Sequence, residues 1–228
     1  MDVDATGATL TETSAPATTL DLADWRRRVA DLYAELRRLS AADVIGAWGH
    51  WRDVRDELFR THPQSPVPEG SRASFEARYF DYDPALRFPA VALEPEPEPA
   101  IESSQAAPLT LPSSGVDALS FRRVGWITVP LPDGTRRLSV FWMEGYAGGL
   151  FVPFRDATNG RQTYGAGRYL VDAAKSADLG GDRRRGTIVI DFNFAYQPSC
   201  AFDPKWACPL APPENRLDVP VRAGERIA

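Results

Sequence analysis

Lysine, cysteine and histidine are nearly missing from this chain, which carries two of each among its 228 residues. Each shortage excludes something. The cysteines, Cys200 and Cys208, are separated by seven residues and form no C-x-x-C pair, and only His50 and His62 could complete a zinc set. Structural packing of both sulfurs is therefore expected ahead of a metal, with a bridge between them the next reading. The net charge of −5 removes the electrostatic case for nucleic acid or an anionic membrane. No apolar run of about 18 residues occurs, so no membrane span is expected. Residues 1–20 have neither a basic n-region nor an apolar h-region, so no signal peptide is expected either. The expected compartment is the cytoplasm, where both thiols stay reduced. With Lys175 and Lys205 the only lysines, anion recognition falls to arginine, which grips carboxylates and phosphates with two parallel hydrogen bonds.

Hydrophobic residues at 43% and aromatics at 11% fit a folded chain. The organisation expected is a disordered tail over residues 1–20, then a single globular domain over 21–228 with a disordered insertion at 94–115, where Pro, Glu, Ser and Ala recur without period. An apolar stripe at three- and four-residue steps (Leu22, Trp25, Val29, Leu32, Leu36, Leu39) predicts a helix over Leu22–Leu39 with Asp21 at its N-cap. Trp48, Trp51, Val54 and Leu58 predict a second over Ala47–Arg60, stopped by Pro63, Pro66 and Pro68. From Ser74 the pattern turns to short strands. VGWITVPLP and TRRLSVFWMEG flank Asp133-Gly134, which suits a type I′ hairpin turn. LFVPFRD, QTYGAGRYLVDA and GTIVIDFNF follow. Successive strands without intervening helices predict an α+β fold, the N-terminal amphipathic helices packed on a mostly antiparallel β-barrel or β-sandwich.

Two polar blocks interrupt this strand-like sequence: residues 153–170 and the aspartate and asparagine of IDFN. Alternation would place Ile188, Ile190, Phe192 and Phe194 on one face of the last strand, with Val189, Asp191 and Asn193 on the other. A carboxylate on an inward face needs a partner, and Arg155 and Arg168 are the expected ones. Gly165-Ala166-Gly167-Arg168 precedes no predicted helix, so it is no dinucleotide fingerprint. Arg183 to Arg185 lie beside Asp178 and Asp182 and read as a solvated turn.

FRDATNGRQTYGAGRYL, followed by IDFNFAYQPSCAFDPKWACPLAPPENRLDVPVRAGE, resembles domain-of-unknown-function family 1684. The family's blocks read F-x-D-x-T-x-G-x-x-T-Y-G-x-G-R-Y and D-F-N-x-A-Y-N-P-x-C-A-Y. WRDVRDELFRTHPQSPVP and YFDYDP resemble its upstream blocks, so the likeness runs from about Trp48 to Arg226. Gln197 replaces the usual asparagine and Phe202 the usual tyrosine. The resemblance implies a shared fold and a shared site, and it assigns no activity, cofactor or metal.

Three readings follow for the polar residues. In the first, Arg155, Asp156, Thr163, Tyr164, Arg168, Tyr169, Asp191 and Asn193 line a pocket for a small molecule, in which paired arginines can hold an anionic ligand. In the second, the same cluster is a mutually satisfied network that fixes the fold of a structural or protein-interaction domain. In the third, Asp156 and Asp191 form the carboxylate pair of a hydrolase. The loop from Pro198 to Pro213 is expected to close over the cluster.

Overall fold

The structure, a computed structural model, describes residues 15–96, 109–111, 113–114, 119–146 and 148–227. Residues 1–14 of the expected tail, and most of the expected insertion, lie outside this set. Helices α1 (Ala15–Leu39) and α2 (Val44–Thr61) come first. The first helix begins seven residues ahead of the apolar stripe, and so takes in Ala15 to Leu20 of the expected tail. The second begins earlier than its tryptophans suggest because Asp43 caps it, accepting the Gly46 N–H at 2.8 Å. A short α3 (Glu69–Arg72) follows.

The sheet strands are β2 (Arg87–Pro95), β3 (Leu109–Thr110), β4 (Ser120–Leu131), β5 (Gly134–Met143), β6 (Leu150–Phe154), β7 (Arg168–Asp172), β8 (Gly181–Asp182) and β9 (Thr187–Asp191). They run antiparallel in the order β7-β6-β5-β4-β2-β9-β8, with β3 on β4. β1 (Arg78–Tyr79) and β10 (Glu225–Arg226) make a separate two-stranded sheet. The large sheet curls into a half-barrel. Its β7 edge reaches the chain beyond β9, where Tyr169 and Tyr196 exchange backbone hydrogen bonds of 2.9 and 3.1 Å. Both margins of the expected insertion are ordered, Glu94 and Pro95 in β2 and Leu109 and Thr110 in β3.

Alternation along the strands divides the apolar residues between two cores. Ile127, Val129, Leu138, Val140, Val152, Phe154 and Ile190 fill the concave side of the sheet. Phe121, Phe141, Phe151 and Tyr169 face Leu32, Tyr33, Leu36 and Trp51 of the two helices. Trp51 is fully buried and donates its indole N–H to the Tyr33 hydroxyl at 3.3 Å.

Two local expectations are corrected. The β4–β5 hairpin forms, but Leu131 pairs with Gly134, so Pro132 and Asp133 make the turn. The proline ring fixes a negative φ, which excludes type I′, and the positive φ (115°) falls on Gly134. Strand β9 ends at Asp191, and residues Phe192–Phe194 form a 3-10 turn capped by the Asp191 carboxylate. Alternation therefore stops there. Phe192 enters the barrel core, whereas Phe194 enters the helix-facing core against Trp51.

Candidate functional site

Beyond β6 the chain makes a compact turn that Asp156 holds together. Its carboxylate accepts the Thr158 hydroxyl (2.8 and 3.0 Å), the Thr158 N–H (3.2 Å) and the Val221 N–H (2.7 Å). The Thr158 and Thr163 hydroxyls lie 2.8 Å apart, and the Asn159 amide donates to both Thr163 Oγ1 and the Tyr164 carbonyl at 2.8 Å. The short side chains in FRDATNGRQT are thus needed for one reason. Each offers a polar atom close to the backbone, where it competes with regular structure and fixes a turn. Gly167 closes the turn with φ +107°, and a Cβ there would stand 2.5 Å from the Phe154 carbonyl oxygen. Gly167→Ala is expected to cost about 1–3 kcal/mol in urea denaturation.

Arg168 enters the barrel from β7 with no exposed surface. Its guanidinium donates to Asp156 Oδ1 (3.3 Å), to the Val221 carbonyl (2.8 Å), to the Glu225 carbonyl (3.2 Å) and to the Ala223 carbonyl, with the Phe154 ring beneath it. Burial lowers its pKa, and Asp156 opposes that shift. The carbonyls it gathers belong to the C-terminal segment, so Arg168 and Asp156 together fasten residues 219–225 across the end of the barrel. Glu225 then ties this segment to the helices. It accepts Arg55 Nε (2.9 Å) and Nη2 (2.6 Å) at one oxygen and the Gln197 N–H (2.6 Å) at the other.

Asp191 and Asn193 belong to a different cluster. The expected arginine partners, Arg155 and Arg168, are not theirs. Asp191 sits opposite Arg87 in the β2–β9 register and pairs with it at 3.2 Å, and it also accepts the Tyr82 hydroxyl at 3.4 Å. Its other oxygen accepts the Asn193 N–H (3.0 Å) and side-chain amide (2.8 Å). Asn193 in turn grips both backbone groups of Asp83, at 2.8 and 2.9 Å. Asp156 and Asp191 thus have separate arginines and share no hydrogen-bond partner among the described residues. Burial raises the Asp191 pKa, against the Asn193 and Arg87 contacts. The folded state then holds its proton more tightly than the unfolded state, so this group's contribution to stability falls as pH rises from the ordinary aspartate value through the raised one. That slope is expected to vanish in Asp191→Asn, measured by urea denaturation across pH 4 to 7.

The remaining residues divide again. The Tyr169 hydroxyl donates to the Pro209 carbonyl at 2.5 Å, and the Tyr164 N–H to Gln197 Oε1 at 3.2 Å, so both hold the C-terminal loop. Arg155 is half-buried. Its Nε donates to the Ala166 carbonyl at 3.3 Å, and its guanidinium borders an open hollow of about 440 Å³. Arg161, Arg216, Asn159 and Gly165 share that rim, and Asp156 underlies it. Among the described residues no carboxylate pairs with Arg155, Arg161 or Arg216, and Asp156 is already bound to Arg168.

The family model described as protein of unknown function (DUF1684) matches residues 74–226. The chain belongs to this family. The solution NMR structure of an uncharacterized protein from Haloarcula marismortui is similar, with 33% sequence identity and a TM-score of 0.54 over 77% of this chain and 90% of that one. No curated protein matches. The DUF1684 region contains every residue expected at the site, together with Arg87, Arg161, Asn215 and Arg216, which the sequence reading missed. The α2 block from Trp51 to Pro68 precedes it.

Asn215 is the most consequential of those omissions. Strands β5 and β6 pair only at Phe141–Phe151 and Trp142–Leu150, and then splay apart. The Asn215 side chain fills the gap. It accepts the Ser139 N–H (2.7 Å) and donates to the Ser139 (2.9 Å) and Pro153 (2.7 Å) carbonyls. The signal in the sequence was slight: one amide residue in the proline-punctuated PPENRL stretch.

Proposed function

We propose that this DUF1684 protein binds a small anionic molecule in the hollow rimmed by Arg155, Arg161 and Arg216. The supporting observation is the state of these three cations. In a chain of net charge −5, they converge on one concavity without carboxylate partners among the described residues. An arginine left unpaired beside a polar hollow can give charge-assisted, two-pronged hydrogen bonds to a carboxylate or phosphate. The volume of about 440 Å³ suits a metabolite-sized ligand. Gly165 leaves one wall open, since a Cβ there would meet nothing nearer than 3.9 Å.

The buried residues have a different role in this reading. Asp156, Thr163 and Arg168 form the floor that holds the Arg155 turn in place, and their hydrogen bonds are directed at one another and at the backbone. The structural reading therefore suits them, and the binding reading suits the rim.

Titration with inorganic phosphate and with succinate, followed by amide chemical shifts, tests the proposal. Shifts are expected to concentrate at residues 155–167 and 215–217. Replacing Arg155 and Arg216 with glutamine should weaken binding by at least about tenfold, as expected for loss of charged hydrogen bonds. Equal affinity in the double variant, or shifts centred elsewhere, would overturn it.

A further inference from the structure

Cys200 and Cys208 take no part in that hollow. Both are free and buried. The Cys200 N–H donates to Cys208 Sγ at 3.3 Å. The loop carrying them is fastened by Ser114, whose hydroxyl accepts the Cys208 N–H (2.8 Å) and donates to the Trp206 carbonyl (3.0 Å), and whose N–H donates to the Cys208 carbonyl (3.0 Å). The hydrogen bond from Cys208, joined by the Tyr164 hydroxyl, holds the Cys200 thiol down to about 6. Donating its proton to that bond, together with burial, pushes the Cys208 thiol up. Cys208 also borders a second hollow, about 200 Å³, walled by Trp25, Val29, Lys175 and Trp206.

These positions have a chemical consequence. A thiolate beside a thiol is the arrangement that completes thiol–disulfide exchange within one chain, and the Cys200 N–H on Cys208 Sγ places the two residues side by side. We propose that Cys200 and Cys208 are a reversible dithiol–disulfide couple, oxidised by a low-molecular-weight disulfide that enters the hollow beside Trp25 and Lys175. Cys200 Sγ, held as the thiolate by its neighbour, attacks one sulfur of the small disulfide, whose S–S bond breaks to release one thiolate. Cys208 Sγ then attacks Cys200 Sγ and displaces the second half, which leaves as a thiol with the Cys208 proton. The protein loses two electrons, and the small disulfide gains them as one thiolate and one thiol.

The test uses the full chain and 2-hydroxyethyl disulfide. After exchange and denaturing alkylation, intact mass spectrometry is expected to show a loss of about 2 Da and no alkylated cysteine, with dithiothreitol restoring both thiols. In Cys208→Ser the resolving sulfur is gone, so the 2-hydroxyethylthio adduct should accumulate on Cys200. Both cysteines remaining alkylatable in the wild-type chain would overturn the proposal. So would a stable adduct on the wild-type chain, which would show that the second sulfur does not displace the first.

Discussion

Arg168→Ala is expected to destabilise the protein by about 3–5 kcal/mol, read as a lowered urea midpoint, because it breaks a fully buried ion pair from one side only. The Asp156 carboxylate would remain in the barrel without its cation, while the Val221, Ala223 and Glu225 carbonyls would lose their donor. Water cannot replace the guanidinium easily, since both side chains have no exposed surface. The pair itself adds little net stability over an apolar substitute, and this asymmetry sharpens the test. Arg168→Met combined with Asp156→Asn should cost clearly less than the two single changes added together. An Arg168→Ala protein as stable as wild type would refute the structural assignment of this residue and return it to the list of ligand-binding candidates.

Asn215→Ala should have a comparable effect, about 3 kcal/mol or more, because three buried backbone groups lose their side-chain partner. Asn215→Asp separates the chemistry from the shape. An aspartate fills the same space and can still accept the Ser139 N–H, but it cannot donate to the Ser139 and Pro153 carbonyls. It is therefore expected to be as damaging as alanine in thermal denaturation. Wild-type stability in the aspartate variant would mean that the amide group does not bridge β5 and β6.

Both residues show how the expected cluster of eight came apart. Arg155, Asp156, Thr163, Tyr164, Arg168, Tyr169, Asp191 and Asn193 stand out in the sequence as polar residues in strand-like surroundings. The structure brings Asp156, Thr163 and Arg168 together, directs Tyr164 and Tyr169 to the C-terminal loop, and gives Asp191 and Asn193 to Arg87, Tyr82 and Asp83. Of the eight, Arg155 and Asp156 line the hollow that Arg161 and Arg216 share. The expected lid is also a more varied element than one covering loop. Phe202 packs on Phe59 and Phe75, at 5.1 and 5.7 Å between ring centres, and so anchors the loop to the helical layer.

What the sequence determined by itself was local. The apolar stripes of α1 and α2, the β4–β5 hairpin, the antiparallel succession of strands and family membership all rest on patterns within short windows, where period and turn chemistry follow from backbone geometry. Even there, one proline moved a turn by a residue and one Asx cap ended alternation at Asp191. What only the tertiary structure decided was which charges meet. Arg87 reaches Asp191 through strand register, and Arg168 reaches the carbonyls of residues 221–225 because the sheet curls over the returning C-terminus. A buried charge must find a partner, but sheet curvature and register choose which one, and both are properties of the whole assembly of strands.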